Sequence, residues 1–195
     1  RENQAESNGH RWGKQIFFMG IAILGIGLFW MQKDHYKAYQ QWNKAQMFYN
    51  NKAYEAALEV YEPLYPLLKH KPEFLFEAAQ SLSKTGQYEK ANEYLERAVL
   101  LSSDPMLYYV MAKNEQCLGE YRQAEKHLLH AIDILPERIY PYYLLMNLYT
   151  EPSYFQPAKL KMAIDSVLTK KPKVESSAIK EMKEKARSML NNTSI

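Results

Sequence analysis

GQYEKANEYLERA (86–98) has a counterpart on either side, NKAYEAALEVYEPL (51–64) before it and GEYRQAEKHLLHA (119–131) after it. Tyr54, Tyr88 and Tyr121 lie 34 and 33 residues apart. Ala57, Ala91 and Ala124 follow three residues after each tyrosine. Tyr61, Leu95 and Leu128 come four residues later, and Leu64, Ala98 and Ala131 three after that. Apolar side chains at i, i+4 and i+7 mark one face of a helix. A period of this length marks a chain built of stacked units.

Outward from these segments the units take shape. Pro105 and Pro136 close the second and third, and a fourth, degenerate unit starts at Tyr142 and carries Ala158 and Met162. The pattern resembles the tetratricopeptide repeat (TPR), a helix–turn–helix unit with a small residue where its helices cross, an aromatic at the turn and a proline at the end. The physics of the residues agrees. Alanine at a crossing lets two backbones approach closely. Gly86 and Gly119 accept the left-handed backbone that ends a first helix. The first unit departs from the pattern. Lys52 stands where glycine is usual, and Pro63 and Pro66 fall inside the second helix. Each proline removes a backbone hydrogen bond at a cost of about 3 kcal/mol, which predicts a kink or an early stop. Pro152 and Pro157 predict a long, irregular turn in the fourth unit.

After Pro172, Ser176 or Ser177 can cap a helix whose apolar stripe is Ile179, Met182, Ala186 and Met189. The opposite face alternates lysine, arginine and glutamate. A solenoid needs such a terminal helix to cover its last apolar surface. The expected fold is therefore all-α. A TPR-like solenoid of roughly 3.5 repeats occupies residues 33–172, a capping helix 173–190 and a tail 191–195.

Ahead of the repeats lies IFFMGIAILGIGLFWM (16–31), without a charged side chain. As a helix its sixteen residues would span about 24 Å, slightly short of a bilayer core of about 30 Å. Lys14 and Lys33 can reach outward from its ends, and Trp12 and Trp30 stand where interfacial aromatics lie. A cleavable signal peptide would need small residues after the apolar run, and WMQKDHYK offers none. A buried core helix would need a wrapping that nothing later in the chain supplies. The expectation is a polar tail over 1–14 and a single transmembrane helix over 15–32, with the lipid bilayer as its partner. Basic residues flank both ends, so neither orientation is favoured. The chain begins with Arg1 rather than Met, as a fragment of something longer would.

Composition excludes several function classes. There are 25 Lys+Arg against 22 Asp+Glu, so no basic excess points to nucleic acid. One cysteine, Cys117, rules out an intrachain disulfide or a Cys-rich zinc site. Seven glycines among 195 residues disfavour Gly-rich phosphate loops, and no GxSxG, Walker or GxGxxG sequence occurs. His127 and His130 have the i, i+3 spacing of a metal pair, but no third ligand is apparent. No catalytic constellation, cofactor or metal is expected.

A surface remains. In stacked helix pairs the first helices line the concave face. The register places Trp42, Phe76, Tyr109 and Tyr143 at one inward position per unit, with Tyr39 and Tyr140 beside them. One turn later come Gln46, Gln80, Lys113 and Asn147. An aromatic ladder beside hydrogen-bonding groups can grip an extended peptide or a sugar chain; it can equally be packing alone. Phe76 and Tyr109 are the expected anchors. Of the Lys and Asn that clamp a peptide carboxylate in some such repeats, only Asn147 matches.

YEPLYPLL (61–68), ERIYPYYLLMNLY (137–149) and KKPKVESSAIKEMKEKAR (170–187) carry a further resemblance. Over residues 15–190 the chain is similar to the C-terminal end of bacterial O-antigen ligase/polymerase-family membrane proteins, a last membrane helix followed by TPR units. The resemblance implies an inner-membrane location and an accessory, non-catalytic end of an enzyme acting on lipid-linked oligosaccharide. The residues themselves imply a membrane-anchored scaffold that binds a protein or peptide, the side of the membrane being open.

Overall fold

The computed structural model describes residues 2–172 and 174–192, with side chains described for 17–27, 33–172 and 174–191. The described chain is all helical. The elements are α1 (Glu2–Asn50), α2 (Tyr54–Leu68), α3 (Pro72–Lys84), α4 (Tyr88–Val99), α5 (Pro105–Cys117), α6 (Tyr121–Ile134), α7 (Tyr140–Leu148), α8 (Pro157–Thr169) and α9 (Ser177–Asn192). Each packs on the next, and the helices pair as α1/α2, α3/α4, α5/α6 and α7/α8, with α9 laid against α8.

The repeat register is the packing register. Tyr54, Tyr88 and Tyr121 are the first residues of α2, α4 and α6. Ala57, Ala91 and Ala124 are fully buried at the crossings, with Tyr61, Leu95 and Leu128 one turn on. Lys52, Gly86 and Gly119 hold φ of 61°, 81° and 77°, so all three first helices end in the same left-handed residue. Nothing lies within 4 Å of a side-chain carbon added to either glycine. Backbone conformation alone therefore calls for glycine there.

Two expectations are corrected. Pro63 and Pro66 do not stop α2, which runs through both to Leu68. Both prolines are exposed, as are Glu59 and Glu62, whose carbonyls lose their donors. Water can serve those carbonyls, while Ala57, Tyr61, Leu64 and Leu68 hold the buried face. In the fourth unit Ala158 and Met162 are exposed, and Leu160, Ile164 and Val167 form the buried i, i+4, i+7 set. The register has moved by two residues. The cause is the long connection after α7, with its short 3-10 turn at Pro152–Tyr154.

The segment read as a tail, 1–14, falls within α1, whose helix begins at Glu2. The segment 15–32 is described at its side chains only for 17–27, and the rest of it lies outside the described side chains. Phe17, Phe18, Ile23 and Leu24 are all exposed. Among the described residues no helix is long and apolar enough to cross a membrane. No break separates this stretch from the first repeat: α1 is one helix to Asn50, and Ala38 and Ala45 bury against the repeats.

Candidate partner-binding groove

Curvature defines the groove. Successive first helices touch one another, α1 with α3, α3 with α5, α5 with α7 and α7 with α9, whereas successive second helices make less contact. The stack therefore bends with its first helices inside, and these carry the aromatic ladder.

The rungs differ in availability. Tyr39 and Tyr140 are each 38% exposed, while Tyr109 is only 7% exposed and packs edge-on to Tyr140 with centroids 5.2 Å apart. Burial raises the pKa of Tyr109, and the nearby Arg138 opposes that rise. Tyr109 is thus a core residue with one edge toward the groove, and Tyr140 covers it. Phe76 is half-buried, packed against the core of the first two units. Tyr39 lies 5.9 Å from Trp42, and the Lys71 ammonium lies 6.0 Å from the Tyr39 ring.

The polar row is largely committed inside the protein. Gln46 donates from Nε2 to Glu77 Oε1 at 2.8 Å, and Trp42 donates from Nε1 to Glu77 Oε2 at 2.6 Å. The Gln80 carbonyl accepts from the Tyr49 hydroxyl. Asn147 Oδ1 accepts from Lys185 Nζ at 2.8 Å, and the same ammonium lies 5.3 Å from the Tyr143 ring. What stays uncommitted is the Gln46 carbonyl, the Gln80 and Asn147 amide nitrogens and the exposed ammonium of Lys113. An amide with one half engaged keeps its other half for a ligand.

Glu77 went unrecognised at the sequence level. It takes three donors: Trp42, Gln46 and the Tyr61 hydroxyl at 3.1 Å. Burial first, and then this carboxylate, raise the pKa of Tyr61 well above its ordinary value. A signal for it exists in the register, where the corresponding residues of the next units are Val110 and Leu144. A carboxylate in an apolar slot must find donors. Lys185 occupies the matching place at the far end, bracketing Tyr143 and Asn147 as Glu77 brackets Trp42 and Gln46.

A second carboxylate hub, Glu125, faces away from the groove. It accepts from the Tyr149 and Tyr154 hydroxyls and from Lys159 Nζ, each at 2.7 Å. Burial pulls its pKa up, but these hydrogen bonds and the Lys159 charge outweigh burial and leave it lowered. The abundant tyrosines thus serve partly as donors to half-buried carboxylates. His127 and His130 do not converge on a metal position. His127 Nδ1 meets the buried Glu115 carboxylate at 2.9 Å, and His130 packs on Tyr108 with centroids 4.6 Å apart. Among the described residues no group of three possible metal ligands occurs. Cys117 is exposed.

Residues 50–131 match the family described as anaphase-promoting complex, cyclosome, subunit 3. That stretch is shorter than half the chain. None of the curated proteins compared matches the sequence. Solved structures resemble the chain more widely. MamA from Desulfovibrio magneticus RS-1 is 17% identical, with 76% of this chain and 76% of that chain covered and a TM-score of 0.59. A kinesin light chain structure of Podosopora anserina with nearly identical TPR-like repeats is 17% identical, covering 81% and 89%, with a TM-score of 0.59. The Yersinia enterocolitica type III secretion chaperone SycD, solved with a peptide of the translocator YopD, is 19% identical, covering 64% and 90%, with a TM-score of 0.50. At these identities the likeness establishes the fold. Among the described residues the chain is an all-helical TPR-like solenoid.

Proposed function

We propose that this chain is a membrane-anchored scaffold whose concave face holds an extended segment of a partner protein. One observation carries the groove reading. Across four stacked units the inner helices present aromatic side chains at a repeating position, beside amide groups that are only half engaged. An extended peptide offers backbone donors and acceptors at regular spacing, which such a row suits. The SycD structure holds a peptide and supports this reading by analogy of fold. Lys113 and Arg138 add cationic character to the middle of the groove. The exposed apolar surface of Phe17, Phe18, Ile23 and Leu24, on the part of α1 ahead of the repeats, supports the anchor. The anchor places the scaffold on a membrane; a bacterial inner membrane is the setting the ligase resemblance adds.

The structure alters which variants test the groove. Tyr109→Ala would open a cavity in the core, so it would confuse folding with binding. Tyr39→Ala, Tyr140→Ala and Lys113→Glu change exposed side chains. Peptides selected from a random library on the detergent-solubilised full chain should bind the triple variant at least about tenfold more weakly, the scale expected when aromatic anchors are truncated. Its melting temperature should hold. Undiminished peptide binding by the folded variant would refute the groove. The alternative, the terminal module of an O-antigen ligase or polymerase that helps hold a saccharide, rests on the three short stretches quoted above, and none of the matches described here is such an enzyme.

A further inference from the structure

We infer that the solenoid rests on its membrane: the end of the stack formed by the connections α2–α3, α4–α5, α6–α7 and α8–α9 docks on the anionic headgroup layer of the bilayer that α1 enters. The inference rests on the anchored reading. Its first support is topology. Successive helices alternate in direction, so these four connections all lie at the end of the stack where α1 passes from the apolar stretch into the first repeat. The Lys71 ammonium, in the first of them, lies 6.0 Å from the ring of Tyr39 on α1. Tyr39 is seven residues past Gln32, a rise of about 10 Å, and the interfacial layer outside the bilayer core is about 5–8 Å deep. Because α1 continues without a break from residues 17–27 into the repeats, this end is held low.

The second support is chemical. Leu100 is 82% exposed and Val174 75%, and both lie in these connections with exposed Leu101 and Leu135. The turns at the opposite end show only Phe155 in this class, although Met47 lies near them. Cations flank the apolar tips. Lys69 and Lys71 belong to the first connection, and Lys170 and Lys171 to the last. Acids are present at this end too: Asp104 accepts from the Met106 amide at 2.9 Å to cap α5, Glu137 faces Lys170 at 4.0 Å, and Glu73 and Glu175 are exposed, leaving Lys69, Lys71 and Lys171 as the cations for lipid. Aliphatic tips among lysines suit a lipid interface, where the tips enter the headgroup boundary and the ammonium groups meet anionic lipid. A nucleic acid would use the lysines but not the leucines.

The test uses the full chain with Cys117→Ser, reconstituted into vesicles of phosphatidylcholine and phosphatidylglycerol. One sample carries Leu100→Cys and another Phe155→Cys, each labelled with an environment-sensitive dye. Flotation after an alkaline wash reads the anchor. Headgroup-nitroxide lipids should quench most of the emission at position 100 and little at position 155. Lys69→Glu with Lys71→Glu, or vesicles of phosphatidylcholine alone, should relieve the quenching without changing flotation. A chain that does not float removes the anchored reading and this inference together. A chain that floats, with equal and weak quenching at both positions, overturns the docking alone. A dye at position 100 shielded from solvent but not quenched by lipid, and released on dilution into excess vesicles, would assign the surface to a second copy and likewise overturn the docking.

Discussion

Lys52 shows how a residue can break a pattern and still obey its geometry. Its φ of 61° matches the 81° and 77° of Gly86 and Gly119, so the turn keeps its shape without glycine. A left-handed lysine costs about 1–2 kcal/mol, and glycine returns part of that gain as lost unfolded-chain entropy. Lys52→Gly should therefore stabilise by about 0.5–1 kcal/mol. Chemical denaturation reads this directly, and an unchanged or lowered midpoint would contradict it. The residues legible in the sequence were of this kind: small at crossings, aromatic at turns, permissive at helix ends, each dictated by local geometry. Glu77, Glu115 and Glu125 were not legible. Their meaning depends on donors 12 to 35 residues away, which pattern alone does not supply. Glu77 and Glu115 nonetheless stand at positions that other units fill with Val110, Leu144, Leu82 or Tyr149, and a carboxylate in such a slot is the clue.

At the level of elements, helix faces outweighed helix breakers. The two prolines of α2 were weighed for the hydrogen bonds they remove, but both lie on the wet face, and the buried face carried the helix through. The shift in α8 arose in a connection, where no periodicity guides the reading. That shift is pinned by the Glu125 cluster, which ties α6 to Tyr149 after α7, to Tyr154 and to Lys159 on α8. The pKa of Glu125 is lowered in the folded state. A group with a depressed folded pKa binds its proton less tightly than the unfolded chain does, so its contribution is full above the unfolded value of about 4.3 and fades as pH falls through the folded value. The urea midpoint of the wild type should therefore drop more steeply below about pH 4.5 than that of Glu125→Gln. At neutral pH the variant should already be weaker, because an amide serves the tyrosines and Lys159 less well than a carboxylate. Parallel acid limbs for the two proteins would show that the cluster contributes no pH-dependent stability.

Across the whole molecule, two buried clusters meet at α5. Leu107 and Met111 belong to the first, which runs back to Ala38, and Tyr109 and Ala112 to the second, which runs on to Ala186. One helix thus serves both cores on opposite faces, and beyond it each unit touches mainly its neighbours. Stability in such a stack approximates a sum of units and interfaces, so damage should stay local. Ile164 is buried in the second cluster, and Ile164→Ala should cost about 2–5 kcal/mol at that site. Hydrogen exchange should then show lost protection across α7, α8 and α9, the terminal part of a core that α5 and α6 also line. The amides of α2, α3 and α4 should keep wild-type protection, since no side chain of the second cluster comes from them. A uniform loss from α2 to α9 would mean that the solenoid unfolds as one unit. In that case the groove would be rigid along its whole length, whereas local failure leaves the α7–α9 end, where Lys185 holds Tyr143 and Asn147, free to open while α2, α3 and α4 stay folded.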